Sequence, residues 1–323
     1  MKSAIVKVLL ATFAGVGMFA PAALAGVDPA LLALVPPDAK MLMGIQVSQT
    51  QASPFGQYLL SQDVLSQLDR STNQILTEAG FDPRRDLREI LAASGDGVSG
   101  LLLGRGAFQP AKISKAAVTA GAVSSRYRGV DLLSSTGSGK SKIAGSMAFL
   151  DASTLVAGDT DAVKAVIDRH ASGAVFAGAL ADKARQISSL NDAWLASLTP
   201  PAALTGGAAT GGAAAGAPQN SQLGPVQNLL QSALQFSAGL KFAATQATLS
   251  AEVVARSAQD AQSMADVLKF LTGMLQQANP NAAKTPSLAD AAKIYVSGSA
   301  MHLVLSVPEQ QLEQFFRNGS AVR

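Results

Sequence analysis

The sequence predicts an α+β protein of two related modules, each a mainly antiparallel sheet covered on one face by helices, in the style of ferredoxin-like folds. Two observations support this prediction. Short apolar segments bounded by glycine-rich turns are typical of strands, and apolar residues at three- and four-residue spacing are typical of amphipathic helices. The order strand, helix, strand pair, helix, strand pair, helix occurs in both halves. We place residues 26–180 in the first module and 181–323 in the second.

The first 25 residues have the pattern of a secretory signal peptide. Lys2 and Lys7 precede a short apolar run, and small residues stand at Ala23 and Ala25. We therefore expect cleavage after Ala25 and a periplasmic or secreted product, with an uncleaved N-terminal anchor as the alternative. No later segment approaches the roughly 20 apolar residues that span a bilayer, so we expect no transmembrane segment after cleavage.

Composition excludes several function classes. Without Lys2 and Lys7, 23 of the 25 basic residues remain against 22 acidic ones, which argues against nucleic-acid binding. The densest basic cluster, Arg84, Arg85 and Arg88, is interleaved with acidic residues at 82, 86 and 89 and is interpreted as a solvated face or helix start. The chain has no cysteine, so no disulfide can form, and with 5% aromatic residues the core must be largely aliphatic.

The elements of the first half follow from periodicity. Strands are predicted at 41–47, at 88–106 as a hairpin with a glycine-rich turn, and at 125–135 and 142–159. Helices are predicted at 54–81, at 109–121, and after Asp159 or Thr160, which caps a helix with a stripe of three apolar residues, Val163, Val166 and Ile167.

The second half gives the same order of elements. Strands are predicted at 192–198, in a hairpin at 240–257, and in a hairpin at 291–308 that turns at Ser297-Gly298. Helices are predicted at 225–236, with Ala233 and Leu234 on the apolar face, at 260–278, and from 306 onward, where Ser306 and Glu309 form a capping box and Pro308 lies in the first turn. Residues 199–222, rich in Gly, Ala and Pro, predict a disordered loop.

Residues 134–142, SSTGSGKSK, look like a nucleotide-binding loop. Gly139, Lys140 and Ser141 supply the end of the Walker A pattern, but Ser134 stands where the first glycine is required. A strand, not a helix, is predicted next, so no helix N-terminus would face a phosphate. The segment is interpreted as a polar connection between strands.

A second glycine-rich stretch, Gly95 to Gly100, fits the dinucleotide-binding pattern G-x-G-x-x-G. That pattern requires a following helix, whereas here a strand, LLLGRG, is predicted to follow. A hairpin turn explains the glycines better, because glycine tolerates the positive φ of such turns.

Catalytic chemistry has few candidate residues. His170 ends a predicted helix, and His302 alternates with apolar residues on a strand, so that it faces the less buried side. Neither has a second ligand at metal-binding spacing, and no G-x-S-x-G occurs; Ser299 near His302 is the remaining Ser/His pairing. Trp194, the only tryptophan, lies in an apolar strand, where core packing is favoured over sugar stacking.

Four phrases carry a resemblance to known sequences: LVPPDAKMLMGIQV (34–47), ASPFGQYLL (52–60), FDPRRDLREILAAS (81–94) and STLVAGDTDAVKAVIDR (153–169). They resemble a group of uncharacterised exported bacterial α+β proteins with a domain of unknown function. The resemblance covers mainly residues 34–170. It implies a two-lobed α+β fold and brings no catalytic residues with it.

The sequence thus favours a non-enzymatic exported cell-envelope protein that binds or scaffolds a protein or peptide partner, through edge strands or the cleft between modules. It assigns no catalytic, cofactor-binding or metal-binding residue. Two alternatives stay open: an exported hydrolase with an unfamiliar Ser/His site, and a carrier of an apolar ligand held between helices and sheet. Because apolar patterning accounts for nearly every notable residue, we expect no buried ionisable side chains to meet at a shared cavity.

Overall fold

The computed structural model describes residues 26–59, 75–95, 98–136, 144–199, 232–243, 245–278 and 291–308. Its strands, in chain order, are β1 (Ala39–Gln46), β2 (Leu87–Gly95), β3 (Val98–Gly106), β4 (Val123–Tyr127), β5 (Val130–Thr136), β6 (Ala144–Phe149), β7 (Thr154–Gly158), β8 (Ala193–Ser197), β9 (Ala233–Phe242), β10 (Gln246–Ala255), β11 (Ala292–Ser297) and β12 (Ala300–Pro308). The helices are α1 (Pro29–Leu34), α2 (Val47–Thr50), α3 (Pro54–Leu59), α4 (Pro83–Asp86), α5 (Pro110–Thr119), α6 (Thr160–Ser172), α7 (Ala179–Ser188) and α8 (Ala258–Ala278).

All twelve described strands form one sheet, in the order β11-β12-β10-β9-β8-β1-β2-β3-β7-β6-β5-β4, with every neighbouring pair antiparallel. Strands β1 and β8 lie side by side at the centre. Strands from the first half of the chain extend to one side of this pair, and strands from the second half extend to the other. The predicted α+β class with a mainly antiparallel sheet is confirmed.

Helices pack on both faces of the sheet. One face is covered by α1, α6 and α7, which bury side chains such as Leu42, Leu103 and Val156. On the other face, α5 packs near Phe108 and Leu155, and α8 packs over Val253. Directly paired residues point to the same face, and following the register across the sheet places α5 and α8 on the same side.

The expectation that helices cover one face only is therefore wrong, as strands β6 and β7 show. On β7 the adjacent residues Leu155 and Val156 pack into different clusters on opposite faces, and Met147 and Ala148 do the same on β6. A strand buried on both faces gives a continuous apolar run instead of an alternation.

Local signals explain several boundaries. Asp28 caps α1, because its carboxylate accepts hydrogen bonds from the backbone N–H groups of Ala30 and Leu31. The β4–β5 hairpin turns at Arg128 and Gly129, with φ of 49° and 84°, and the positive φ at both positions matches a type I′ turn. Helix α4 starts at the N-cap Asp82 and ends within one turn.

Most elements predicted from the sequence are confirmed within the described residues. The apolar stripe of α6 is buried as predicted. The hairpins β2–β3, β9–β10 and β11–β12 form, but the last turns at Gly298-Ser299, one residue later than predicted. The glycine-rich stretch from Gly95 joins β2 to β3, and the segment from Ser134 joins β5 to β6. Residues 96–97 and 137–143 of these two stretches lie outside the described residues.

Other expectations are wrong or lie outside the description. Ala233 and Leu234 begin strand β9 and do not continue a helix. Ser306 and Pro308 belong to strand β12, and Ser306 Oγ is 3.1 Å from Thr248 Oγ1, so they do not open a helix. Helix α7 was not predicted from the sequence. The predicted signal peptide, the loop from 200 onward, residues 60–74 and the remainder of the last predicted helix are not described.

The predicted division at residues 180 and 181 falls inside α7, and the sheet continues across it through the β1–β8 pair. The assignment of two modules therefore stays a prediction.

Candidate functional site

A pocket of about 150 Å³ lies beside α7 on the face of the sheet that this helix covers. It opens over the outer strands of the second half, beyond the edge of the helix. Its lining includes side chains from α7, the turn after it and three strands: Lys183, Leu190, Ser250, Glu252, Tyr295 and His302.

Strand register brings the polar residues of the pocket into one row. Tyr295 on β11 pairs with His302 on β12, which pairs with Glu252 on β10, which pairs with Ser237 on β9. The same row continues through Ala196 into the apolar layer beneath the helices. The row therefore changes from apolar to polar where α7 ceases to cover it.

Glu252 is the central charge of the pocket. Lys183 Nζ donates a 2.7 Å hydrogen bond to Glu252 Oε1, and its side chain is only 15% exposed. Glu252 Oε2 lies 3.9 Å from His302 Nδ1, which is beyond hydrogen-bond distance. A half-buried ion pair of this kind fixes the carboxylate while one of its oxygens still has acceptor capacity.

Tyr295 forms the outer wall of the pocket. Its ring stacks on the His302 ring, with centroids 4.8 Å apart and planes inclined by 14°. Tyr295 is 50% exposed although it belongs to a strand. An exposed aromatic ring at the rim of a polar pocket is a common anchor for a binding partner.

The inner wall is built by Asn191 and Ser250. Asn191 Nδ2 donates to the Ile187 carbonyl at 2.9 Å, and the Asn191 side chain lies against Gly239, where a Cβ would come within 2.2 Å of it. Ser250 Oγ makes long contacts of 3.4 Å to Asn191 Oδ1 and to the Gly239 carbonyl. Ser250 is therefore held by acceptors, and no described hydrogen bond joins it to His302.

Of the residues that the sequence singled out, only His302 lines this pocket, where its side chain is 23% exposed. Ser299 lies in the β11–β12 turn, where its carbonyl accepts from Ala255, and within the described ranges no hydrogen bond links it to His302. His170 lies in the last turn of α6, and Trp194 is buried in the core at 3% exposure. Among the described residues, no group of three potential ligands could hold a metal ion.

Three ionisable side chains, Lys183, Glu252 and His302, converge in this pocket and are 15–24% exposed, whereas the apolar patterning led us to expect no buried ionisable groups meeting in a cavity. Lys183 was missed because α7 was not predicted. Glu252 and Tyr295 each occupy an ordinary position in an alternating strand. Their convergence depends on pairings between strands that are distant in sequence, which no local pattern reports.

A second polar cluster surrounds Glu89 on β2, near the start of α1. Glu89 is 4% exposed and accepts hydrogen bonds of 3.1 and 3.2 Å from the Asp28 N–H. Burial raises the pKa of Glu89 to about 7, against the opposing effect of hydrogen bonds from Gln46 and Asp28. The sequence grouped Glu89 with the nearby arginines, but its side chain points inward.

Asp28 and Arg105 form an ion pair beside Glu89. Arg105 Nε donates to Asp28 Oδ2 at 2.7 Å, and its Nη1 reaches Ser153 Oγ at 3.1 Å and Thr154 Oγ1 at 2.5 Å. Burial acts to raise the pKa of Asp28, but the Arg105 hydrogen bond and the capping bonds outweigh it, and the pKa is lowered. The guanidinium therefore hydrogen-bonds to Asp28, and it acts on Glu89 only through its charge, which works to lower the pKa of Glu89.

No family model and no curated protein matches this sequence. Among solved structures, crystal form III of TP0453 superposes with a TM-score of 0.54 at 11% identity, covering 89% of this chain and 96% of that chain. Crystal form I gives a TM-score of 0.54 at 12% identity with the same coverage, and form IV gives 0.53 at 12%, covering 91% and 98%. At such low identity the likeness concerns the fold alone: this chain is similar to TP0453 in its α+β architecture around a large antiparallel sheet.

Proposed function

We propose that this chain is a non-enzymatic, exported protein of the cell envelope that binds a protein partner. The partner adds an extended segment alongside strand β11 and places one side chain in the pocket next to it. The observation that carries the proposal is the position of Tyr295, half exposed at an end strand of the sheet and stacked on a pocket residue.

Strand β11 is suited to strand addition because it ends the described sheet. It pairs with β12 on one side, and no described strand lies on its other side. The two-residue turn makes Ser297 and Ala300 a hydrogen-bonded pair, so alternation directs the backbone groups of Val296 and Ile294 away from β12. These groups can pair with an incoming strand, whose main chain then contributes affinity.

The volume of the pocket decides what it can hold. About 150 Å³ lies below the 300–1,000 Å³ typical of sites for drug-sized ligands. It is large enough for one side chain. Lys183 and Glu252 at its base favour a polar end group, and Leu190 at its rim favours an apolar stem.

A non-enzymatic role is supported by the way the polar groups are engaged. Lys183 is bound by Glu252, and Ser250 is bound by carbonyl and amide oxygens. No described serine donates to His302, so the Ser/His hydrolase alternative lacks an activated nucleophile. The arrangement provides contacts for binding.

Export is supported by the sequence pattern before residue 26, and we propose a periplasmic or secreted location on that ground. Among the described helices, none is long and apolar enough to cross a membrane.

The proposed two-module organisation is supported by the strand order. In each half, three consecutive strands lie side by side, β1-β2-β3 and β8-β9-β10. A helix then follows on the same face, α5 or α8. The last strand of each half, β7 or β12, returns to pair with the third. We infer that the halves are related modules joined at β1 and β8.

Site-specific photo-crosslinking tests the binding proposal. A photoreactive phenylalanine analogue replaces Tyr295 in the native host, and the same analogue at Val123, 65% exposed on the other end strand, serves as the control. A discrete protein adduct at 295 that is absent at 123 and weakened by Lys183→Met supports the proposal. Identical adducts at both positions, or none, contradict it.

A second candidate, carriage of an apolar ligand, is favoured by the opposite face of the sheet. The register aligns a row of aliphatic residues across seven strands, namely Leu102, Ala92, Met43, Leu195, Ala238, Ala251 and Leu303. Met43 and Leu102 remain 41% and 38% exposed. Native mass spectrometry of protein from its own host should show a bound apolar molecule that is lost in Met43→Gln. Ligand-free protein would count against this candidate.

A further inference from the structure

Residues Gly26 to Asp28 pack against the rest of the protein and hydrogen-bond to it. The Val27 side chain is 5% exposed, and its N–H donates to Ser188 Oγ at 2.9 Å. The Gly26 carbonyl accepts from Gln46 Nε2 at 3.4 Å. Removing these residues would therefore break core contacts, so processing of the chain has to stop before Val27.

Gly26 lies at the C-terminal end of α7. A Cβ on Gly26 would be 3.4 Å from Ser188 Oγ and 3.9 Å from the Arg185 carbonyl. The backbone nitrogen of a residue is about 2.5 Å from its Cβ position, so the Gly26 nitrogen lies close to the last turn of this ten-residue helix. Carbonyl groups at a helix C-terminus carry partial negative charge and favour a cation.

The buried carboxyl group of Glu89 is a second, independent feature of the same place. Gln46 contacts both the Gly26 carbonyl and Glu89, and the Asp28 N–H bonds to Glu89, so the carboxyl group lies against Asp28 and is linked to Gly26 through Gln46. Arg105 acts on Glu89 through its nearby charge, but its guanidinium is hydrogen-bonded to Asp28, and among the described residues no cation forms an ion pair with Glu89 within 4 Å. Gly26 therefore lies beside the C-terminal end of α7 and near a buried carboxyl group that no described cation contacts directly.

We propose that hydrolysis of the Ala25–Gly26 bond supplies a positive charge here, and that the new α-ammonium group of Gly26 binds between the end of α7 and Glu89. Water adds across the amide bond under the action of an export peptidase. The acyl carbon of Ala25 takes the oxygen of the water and becomes a carboxylate, and the nitrogen of Gly26 takes its protons and becomes an ammonium group. The proposal rests on the export proposed above for its cleavage step.

The other charged groups near Glu89 are already paired. Asp28 and Arg105 bind each other, and Asp151 accepts from Ser153 and Thr154 next to them. On α7, Arg185 binds Asp182. Near β1, Asp192 binds Lys241. An ammonium group at Gly26 would thus have Glu89 as its counter-ion, and the pair would stabilise the processed chain between the pH at which Glu89 ionises and that at which an α-amino group loses its proton, about 8.

The first test determines the N-terminus of the protein recovered after export from its host. A chain that begins with Gly26 is expected. A chain that begins at any other residue overturns the processing step, and this outcome is distinct from failure of the partner-binding proposal, because no partner is involved.

The second test compares purified chains that need no export. One chain begins at Gly26, one carries an N-acetyl group on Gly26, and one retains residues 20–25; each is also made with Glu89→Gln. At pH 7 we expect the free ammonium to raise the ratio of folded to unfolded protein about tenfold over both blocked forms, measured by urea unfolding. The difference should vanish in the Glu89→Gln background and persist with Asp38→Asn, an exposed acid. Equal stability of all three forms, or an unchanged difference in Glu89→Gln, overturns the ammonium site.

Discussion

The indole ring of Trp194 on β8 lies directly against Gly44 on β1, and a Cβ built on Gly44 would come within 2.4 Å of the ring. The two residues face each other across the central strand pair that joins the two halves of the sheet. Trp194 is 3% exposed, so the ring is buried within the core. The contact explains why a glycine occupies the middle of a buried strand, where it otherwise weakens the strand.

Gly44→Ala is therefore expected to destabilise the protein. The added methyl group has to displace a buried indole, and overpacking of this kind costs about 1–3 kcal/mol. Urea unfolding followed by tryptophan fluorescence measures the change at its only tryptophan. Gly273→Ala on α8 is the control: nothing lies within 4 Å of its Cβ position, and alanine should stabilise the helix by about 0.5–1 kcal/mol. A neutral Gly44→Ala would contradict the described packing.

Glu89 should make stability depend on pH in a chain that retains residues before Gly26. Its folded pKa of about 7 lies above its ordinary value of 4.5, so the folded state holds more protons between these values. The contribution of Glu89 to the free energy of unfolding is therefore greatest below pH 4.5 and decreases as the pH rises from 4.5 to 7. Above pH 7 it changes no further, and the total decrease is at most about 3 kcal/mol. Urea unfolding between pH 4 and pH 8 measures this profile.

Glu89→Gln should flatten that profile, because the amide stays neutral at every pH in the range. Asp38→Asn, at an exposed position, should leave the profile as it is. A stability that rises from pH 4.5 to pH 7, or a slope that survives Glu89→Gln, would show that another group is responsible.

The elements that could be predicted are those in which apolar residues recur at the regular spacing of a helix or a strand. Helix α6 was predicted because Val163, Val166 and Ile167 mark its buried stripe. Helix α7 was not predicted, because alanines at 181 and 184 form much of its buried face. Alanine occurs at both buried and exposed positions of a helix, so it does not mark the buried face in the sequence. Ala233 and Leu234 continue a helical spacing, yet pairing with β10 makes them part of a strand. Tertiary pairing overrode local pattern there.

The polar clusters were harder to predict than the fold, for a related reason. Tyr295, His302 and Glu252 meet only through the register of three strands, which no single segment encodes. Glu89 was grouped with neighbouring arginines by sequence proximity. The alternation of β2 did hold a signal, because Glu89 shares its face with Leu91 and Ala93, which are buried.

The Lys183–Glu252 pair should show measurable coupling. Both side chains are less than one quarter exposed, so removing either leaves the other partly buried and unpaired. A double-mutant cycle of Lys183→Met and Glu252→Gln should give about 1 kcal/mol of coupling in urea unfolding. The matched control is the Arg126–Asp131 pair, 70% and 58% exposed, for which no coupling is expected. Equal coupling energies for the two pairs would contradict the expectation that the more buried pair is the more strongly coupled.

The two side chains of the Asp192–Lys241 ion pair differ strongly in burial. The Asp192 side chain is 2% exposed and accepts from Lys241 Nζ at 2.6 Å and from the Phe242 N–H at 2.8 Å, whereas the Lys241 side chain is 45% exposed. Lys241→Met leaves the buried carboxylate of Asp192 without its cation, so we expect the free energy of unfolding at pH 7 to fall by about 3 kcal/mol. Asp192→Asn keeps an oxygen acceptor for Phe242 and leaves a lysine that water can solvate, so its cost should be nearer 1 kcal/mol. Thermal or urea unfolding of the two variants decides the order, and a larger loss in Asp192→Asn would mean that the carboxylate charge itself stabilises this corner of the sheet.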